Sequence, residues 1–248
     1  MTSPPDDTGT DEGLLLAGRA LVRSYGHSPA LRGISVGTRR GEILAITGPS
    51  GSGKSTLLLC LAGILRPDAG EVRFDGRRID TDSEAERSRL RRTRFGVLFQ
   101  FGQLVPELTA AENVAMPLLL AGVKRRPALT AAGTWLERFE VADLATHRPT
   151  EMSGGQAQRV AMARALVTEP EVLFADEPTG ALDTLAGEQV LTELVRVTRQ
   201  AGMTVLMVTH DAKVAAYADR EIVIRDGMAD DGAPTSALRG ALGRAGAR

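Results

Sequence analysis

Residues 43–56 read ILAITGPSGSGKST, and the order of residue types in that stretch decides the fold. Ile43–Thr47 is an unbroken apolar run with β-branched members, bounded by Gly41 and Gly48, the pattern of a strand buried on both faces. Gly48-Pro49-Ser50-Gly51-Ser52-Gly53-Lys54-Ser55 then fits G-x-x-x-x-G-K-[ST], and Thr56 continues into a helical pattern expected over Lys54–Leu65. Strand, glycine loop and helix in that order make a phosphate cradle. The glycines let successive backbone N–H groups turn inward, and the helix start adds its positive dipole end. In that setting Lys54 reaches the β- and γ-phosphates as a point charge, and the Ser55 hydroxyl can ligate Mg²⁺. Lysine occurs only three times, at Lys54, Lys124 and Lys213, so its presence at the one position the motif requires does not follow from composition.

Outward from this stretch, short apolar runs at Phe95–Phe99, Val172–Ala175, Val205–Val208 and Ile222–Ile224 alternate with helical patterns such as Thr184–Gln200. That alternation predicts an α/β domain with a mainly parallel sheet. Glu71–Phe74 before Asp75-Gly76 signals a hairpin. Leu14 to Val36 reads as short strands forming a small antiparallel flank, and residues 104–169, without a good strand, as an inserted helical subdomain. Residues 1–13 and 236–248 read as loose tails around a domain over 14–235.

A phosphate loop that hydrolyses its ligand needs a carboxylate at a neighbouring strand end. Asp176 and Glu177 follow Val172–Ala175. Asp176 would bind Mg²⁺ through water and Glu177 would polarise the attacking water. An acidic pair of this kind is also an ordinary loop feature, and the phosphate loop is what gives it a role. His210 follows the apolar run Thr204–Thr209 and can reach a γ-phosphate, whereas His27 and His147 read as structural. Gln100, closing Phe95–Phe99, can ligate Mg²⁺ or hold water.

Apolar residues make up 43% and charged residues 25% of 248, which excludes a disordered or fibrous chain. A net charge of −1 argues against binding nucleic acid by bulk charge. The lone Cys60 and the lack of Cys/His clusters fit a reducing compartment. Met1–Gly13 is acidic and does not read as a signal peptide. The apolar stretches Leu57–Leu65 and Val114–Val123 are too short to cross a bilayer, so any span must come from a partner.

Met152-Ser153-Gly154-Gly155-Gln156, with GPSGSGKST before it and ADEPTGALD and VTHD after it, resembles the ATP-binding subunit of ABC transporters over nearly the whole chain. The resemblance implies a P-loop NTPase (RecA-like) core. It also implies that Ser153, Gly154, Gly155 and Gln156 form the signature that grips ATP on a second copy of the chain. Ser153 as an N-cap and the glycines' close backbone approach suit that task. By the same resemblance Tyr25 stacks on adenine, although as a residue type it equally suits a strand core. Asp183 lies in the loop crossing the dimer interface. Gln100, Asp176, Glu177 and His210 take the Q-loop, Walker B, catalytic glutamate and switch roles, with ATP and Mg²⁺ as ligands. Met152 replaces the usual leucine, and Gln103 departs from the usual Asn-Leu-Leu-Pro neighbourhood.

TGALD, FQFGQLVPELTAAENV, HRPTEMSGGQ and ADREIVIRDG resemble one branch, the macrolide-export, lipoprotein-release and cell-division group (MacB, LolD and FtsE types). That branch implies a separate integral membrane permease as partner, docked near Gln100–Glu107, with the ATPase peripheral on the cytoplasmic face of the membrane. Two alternatives stand beside transport: regulatory signalling of the cell-division type, and an ATPase acting on nucleic acid. The second rests on Arg87–Arg94, five arginines in eight residues, which also read as a solvated helix face near anionic lipid headgroups. No aromatics interleave them, so no nucleic-acid partner is expected.

Overall fold

The computed structural model describes residues 13–100, 103–182 and 184–230; Asp183 and, apart from Gly13, both expected tails lie outside them. In chain order the strands are β1 Leu14–Tyr25, β2 Ser28–Arg39, β3 Ile43–Thr47, β4 Ala69–Phe74, β5 Arg77–Arg78, β6 Phe95–Leu98, β7 Val172–Asp176, β8 Thr204–Val208, β9 Arg220–Arg225 and β10 Met228–Asp230. The helices are α1 Lys54–Leu61, α2 Glu84–Thr93, α3 Ala110–Leu120, α4 Arg125–Arg138, α5 Gly154–Leu166, α6 Thr184–Gln200 and α7 Ala212–Ala215.

Two sheets carry these elements. A six-stranded sheet runs β10-β9-β3-β8-β7-β6, parallel except for the β9–β10 hairpin at its edge. An antiparallel sheet runs β2-β1-β4-β5. All five residues of β3 are buried, and their alternation splits the core in two. Ile43 and Ala45 pack into the cluster with α3, α4, α5 and α6, while Leu44 and Ile46 pack into the cluster with α1, β1 and β2. Each such aliphatic side chain contributes about 1.5–3 kcal/mol by leaving water. A strand with apolar residues on both faces can sit only at the centre of such a sandwich, as the run ILAIT predicts. Between β6 and β7 the described residues are helices, 3-10 turns and loops.

Three expectations are corrected. The first helix stops at Leu61 rather than Leu65, because Gly63 turns left-handed at φ 65° and the Ile64 and Leu65 amides both donate back to the Leu59 carbonyl. The N-terminal flank is two twelve-residue strands, not several short ones. Register shifts around Gly18–Leu21, with Ala20 at φ 45°, interrupt the alternation that would have announced them.

The arginines of α2 do not form a solvated face. Arg87 is buried and pairs with Glu84, and Arg91 donates to Glu84 and the Gly63 carbonyl. Arg92 donates to the Leu120 carbonyl, and Arg94 pairs with Glu171 while lying over the Phe74 ring. Arg89 alone of the five is exposed. Helix α2 starts from a capping box between Ser83 and Glu86.

Candidate nucleotide site

The parallel strands end in one row. Val208 pairs with Ile46 on one side and with Asp176 on the other, and Leu98 pairs with Ala175. The loops leaving β3, β6, β7 and β8 therefore emerge together at the carboxyl edge, where ligands bind in open α/β sheets. They enclose a cleft of about 620 Å³ lined by Tyr25, Ser50, Gly51, Gly53, Lys54, Ser55, Thr56, Gln100, Asp176, Glu177 and His210, among others. Gly48, Pro49 and Ser52 belong to the loop wall behind that lining.

The loop's curl depends on its glycines. Gly48 has φ 138° and Gly53 φ 101°. A Cβ on Gly48 would collide with the Ile224 carbonyl oxygen, and one on Gly53 with that of Ala30. Both neighbours are backbone, so the loop cannot give way. The Gly227 amide of the β9–β10 turn donates to the Ser52 carbonyl at 3.0 Å, while the Gly227 carbonyl accepts from the Arg32 amide at 2.8 Å. One glycine thus ties the phosphate loop to the antiparallel sheet. Lys54 is 8% exposed, and its ammonium donates to the Gly48 and Pro49 carbonyls at 2.9 and 2.8 Å.

Asp176 is largely buried, and burial pushes its carboxyl above the usual range, partly offset by a hydrogen bond from Ser55. Its Oδ1 is buried with no hydrogen-bond partner, as is the Ser52 hydroxyl. A buried carboxylate oxygen left unpaired beside a serine hydroxyl and a lysine is costly alone. It fits a hard divalent cation with oxygen ligands, so this donor set suits Mg²⁺.

Glu177 is the first residue past β7 and adopts φ 48°, a left-handed conformation that costs a non-glycine residue about 1–3 kcal/mol. Its amide donates to the Val208 carbonyl, and its carboxylate meets His210 Nδ1 at 2.7 Å and the Thr209 hydroxyl at 3.4 Å. That contact with Glu177 raises the His210 pKa. Tyr25, at the tip of the β1–β2 hairpin, is 51% exposed, so it is not a core residue.

Ser153, Gly154, Gly155 and Gln156 lie elsewhere. They line a separate cleft of about 510 Å³ with Ala181 and Leu182, and among the described residues none lines both clefts. Ser153 caps α5 by accepting from the Gln156 amide at 3.2 Å, while the Gln156 side-chain oxygen accepts from the Ser153 amide at 2.8 Å. The glutamine side-chain oxygen is thus spent on the helix cap, while Gly154 is exposed and Gly155 half-buried. Asp183 lies outside the described residues.

Three further residues bear on the site and were not singled out from the sequence. Thr209, buried, supplies the hydroxyl that touches Glu177 and accepts from the Asp211 amide. Gln158, also buried, donates from α5 to the Pro178 carbonyl at 3.0 Å, linking the signature helix to the residue after Glu177. Asn113 is fully buried and bonds Val105, Leu108 and Thr109, fixing the segment after Gln103. A polar residue on an apolar helix face is the one signal that marks Asn113.

The family described as "ABC transporter" matches residues 31–180. The chain is 42% identical over 215 residues to the "Lipoprotein-releasing system ATP-binding protein LolD" of Porphyromonas gingivalis, covering 87% of this chain and 98% of that protein. It is 46% identical over 198 residues to the "Probable syringafactin export ATP-binding/permease protein SyfD" of Pseudomonas syringae pv. syringae, covering 80% of this chain and 30% of that one. The "Dimeric structure of a post-hydrolysis state of the ATP-binding cassette MJ0796 bound to ADP and Pi" superposes with a TM-score of 0.83 at 35% identity, covering 87% of this chain and 96% of that one. With a phosphate cradle, an acidic pair and a histidine gathered at one sheet edge, the chain belongs to the ABC transporter family as one of its ATP-binding, ATP-hydrolysing subunits.

Proposed function

We propose that two copies of this chain sandwich two ATP molecules head to tail and thereby drive a separate membrane permease of the MacB/LolD/FtsX-like type. The observation that carries the sandwich is the division of the ATP-facing groups into two clefts with no shared lining residue. A second copy, turned about, brings the Ser153–Gln156 backbone over the γ-phosphate held by the first. The solved relative named as a dimeric cassette supports this arrangement.

In that site Tyr25 packs on adenine, the loop amides and Lys54 hold the phosphates, and closure excludes water. Ser55 and Asp176, with Gln100 lining the same cleft, would hold Mg²⁺, which would supply positive charge to offset that of the phosphates. Glu177 accepts a proton from the attacking water as its oxygen bonds the γ-phosphorus and the bond to ADP breaks. His210 places the Glu177 carboxylate and contacts the γ-phosphate. Among the described residues no arginine lines the cleft, so Lys54 and the partner's glycine amides carry the charge stabilisation.

The permease reading rests on the ATP-binding/permease relative, and on a groove of about 530 Å³ that includes Phe99, Val105, Met116, Pro117 and Leu120. No helix of the described residues is long and apolar enough to cross a membrane, and the proposed association is peripheral. The test is oligomeric state by light scattering. Glu177→Gln with ATP should run as a dimer, and Gly154→Asp, which sets a carboxylate against the partner's γ-phosphate, as a monomer that still binds ATP. A Gly154→Asp protein hydrolysing ATP at the wild-type rate would sink the proposal. Glu177→Gln purified from its host in mild detergent should bring down an integral membrane protein.

A further inference from the structure

Tyr25 stands where a strand pair is weakest. It closes β1 against Ser28, beyond it come only Gly26 and His27, and Ser24 faces Pro29, which has no N–H to give. Hairpin tips of this kind open readily, and an aromatic ring there would sample many positions. The residue that holds this one comes from outside the hairpin, in the segment just before β4. The Asp68 amide donates to the Val22 carbonyl at 2.7 Å, and the Ser24 amide donates back to Asp68 Oδ2 at 2.7 Å. The other carboxylate oxygen, Oδ1, accepts from Arg23 Nη1 at 2.6 Å.

Asp68 thus holds three consecutive residues, Val22, Arg23 and Ser24, by backbone, ion pair and backbone again. Arg23, fixed in this way, lies over the Tyr25 ring, 5.5 Å from its centre. Tyr25 is part of the cleft lining and Arg23 is not. The approach of β4 to β1 is itself crowded. The β1–β4 register shifts between Arg19 and Val22, and a Cβ on Gly70 would collide with the Arg19 carbonyl oxygen. The Ser24 amide holds the Asp68 carboxyl below its usual pKa, as expected of a carboxylate committed to charge-assisted bonds.

We propose that Asp68 is a positioning residue for nucleotide binding: by clamping Arg23 and Ser24 it presents the Tyr25 ring to the base of ATP. The inference rests on the reading above that Tyr25 packs on adenine. Asp68 touches neither the phosphates nor the reacting atoms, so its effect falls on affinity for the base and not on chemistry.

The experiment is calorimetric binding of ATP and, separately, of inorganic tripolyphosphate to wild type, Tyr25→Ala, Asp68→Ala and the double variant, with steady-state ATPase alongside. Tyr25→Ala should weaken ATP about tenfold, and Asp68→Ala about three- to fivefold. The double variant should be no weaker than Tyr25→Ala, and tripolyphosphate should bind all four alike. KM for ATP should rise in Asp68→Ala while kcat at saturation stays. Asp68→Asn, which keeps an acceptor for the Ser24 amide, should lie between Asp68→Ala and wild type. Wild-type ATP affinity in Asp68→Ala, losses that add in the double variant, or a parallel loss of tripolyphosphate binding would each overturn the clamp. Wild-type ATP affinity in Tyr25→Ala would instead remove the contact with the base, and the clamp with it.

Discussion

The phosphate loop and the signature both present glycine amides at a helix start, yet they are built in opposite ways. The loop is wedged into the protein. Its glycines press on the Ile224 and Ala30 carbonyls, and its lysine is almost wholly buried. In the signature Gly154 stands free, whereas a Cβ on Gly155 would come within 2.9 Å of the end of the Leu182 side chain. A Cβ on Gly154 would meet nothing of its own chain nearer than Ala181 at 3.8 Å, and Ser153 and Gln156 cap only their own helix. One half-site is completed by the fold around it, and the other by whatever approaches from outside. Glycine is required in the first because the chain itself is in the way. In the second it leaves room for something that is not part of the chain.

The largest effect that would break this contrast is at Gly53. Gly53→Ala should cost about 3 kcal/mol or more in a denaturant titration and abolish ATP binding, since strain at φ 101° adds to a backbone collision. Gly154→Ala should leave folding stability within about 0.5 kcal/mol, or raise it slightly, while impairing ATP-driven dimerisation. Equal destabilisation at the two glycines would erase the distinction. Asp176→Asn should weaken Mg²⁺ binding about 10- to 100-fold by titration calorimetry with ATP present. It should also raise the thermal midpoint measured without nucleotide, because burial disfavours the charge it removes.

The smallest effect concerns pH. The His210 pKa lies above its ordinary value because of Glu177, so the pair's stabilisation is complete below about pH 6.5 and is lost as pH rises through the raised value. His210 is mostly exposed, which limits the change to about 1–2 °C in the thermal midpoint. Glu177→Gln should flatten that slope.

The centre of the six-stranded sheet was legible because β3, β7 and β8 are apolar on both faces and their ends coincide with chemically distinctive residues. Ile43–Thr47 and the helix Thr184–Gln200 stand as read. The antiparallel flank was less legible: a strand that shifts register four times over twelve residues carries no steady alternation. The arginines of α2 were misread because composition says nothing about which way a guanidinium turns. Glu84, Glu171 and the Gly63 and Leu120 carbonyls decide that, and most are distant in sequence. The phosphate loop, the acidic pair and His210 could be picked out one by one. That Glu177 and His210 touch, and that Thr209 joins them, needs β7 and β8 side by side.

Lys54 has a consequence of another kind. Its ammonium already holds two oxygen ligands, the carbonyls of Gly48 and Pro49. In the proposed site, binding a triphosphate would exchange these neutral oxygens for charged ones around a cation that is already held. The rotamer freedom of a lysine, worth up to about 2 kcal/mol, is surrendered when the chain folds and not when nucleotide arrives. On that proposal the loop rehearses its ligand with its own peptide oxygens, and ATP would enter as a replacement for part of the protein.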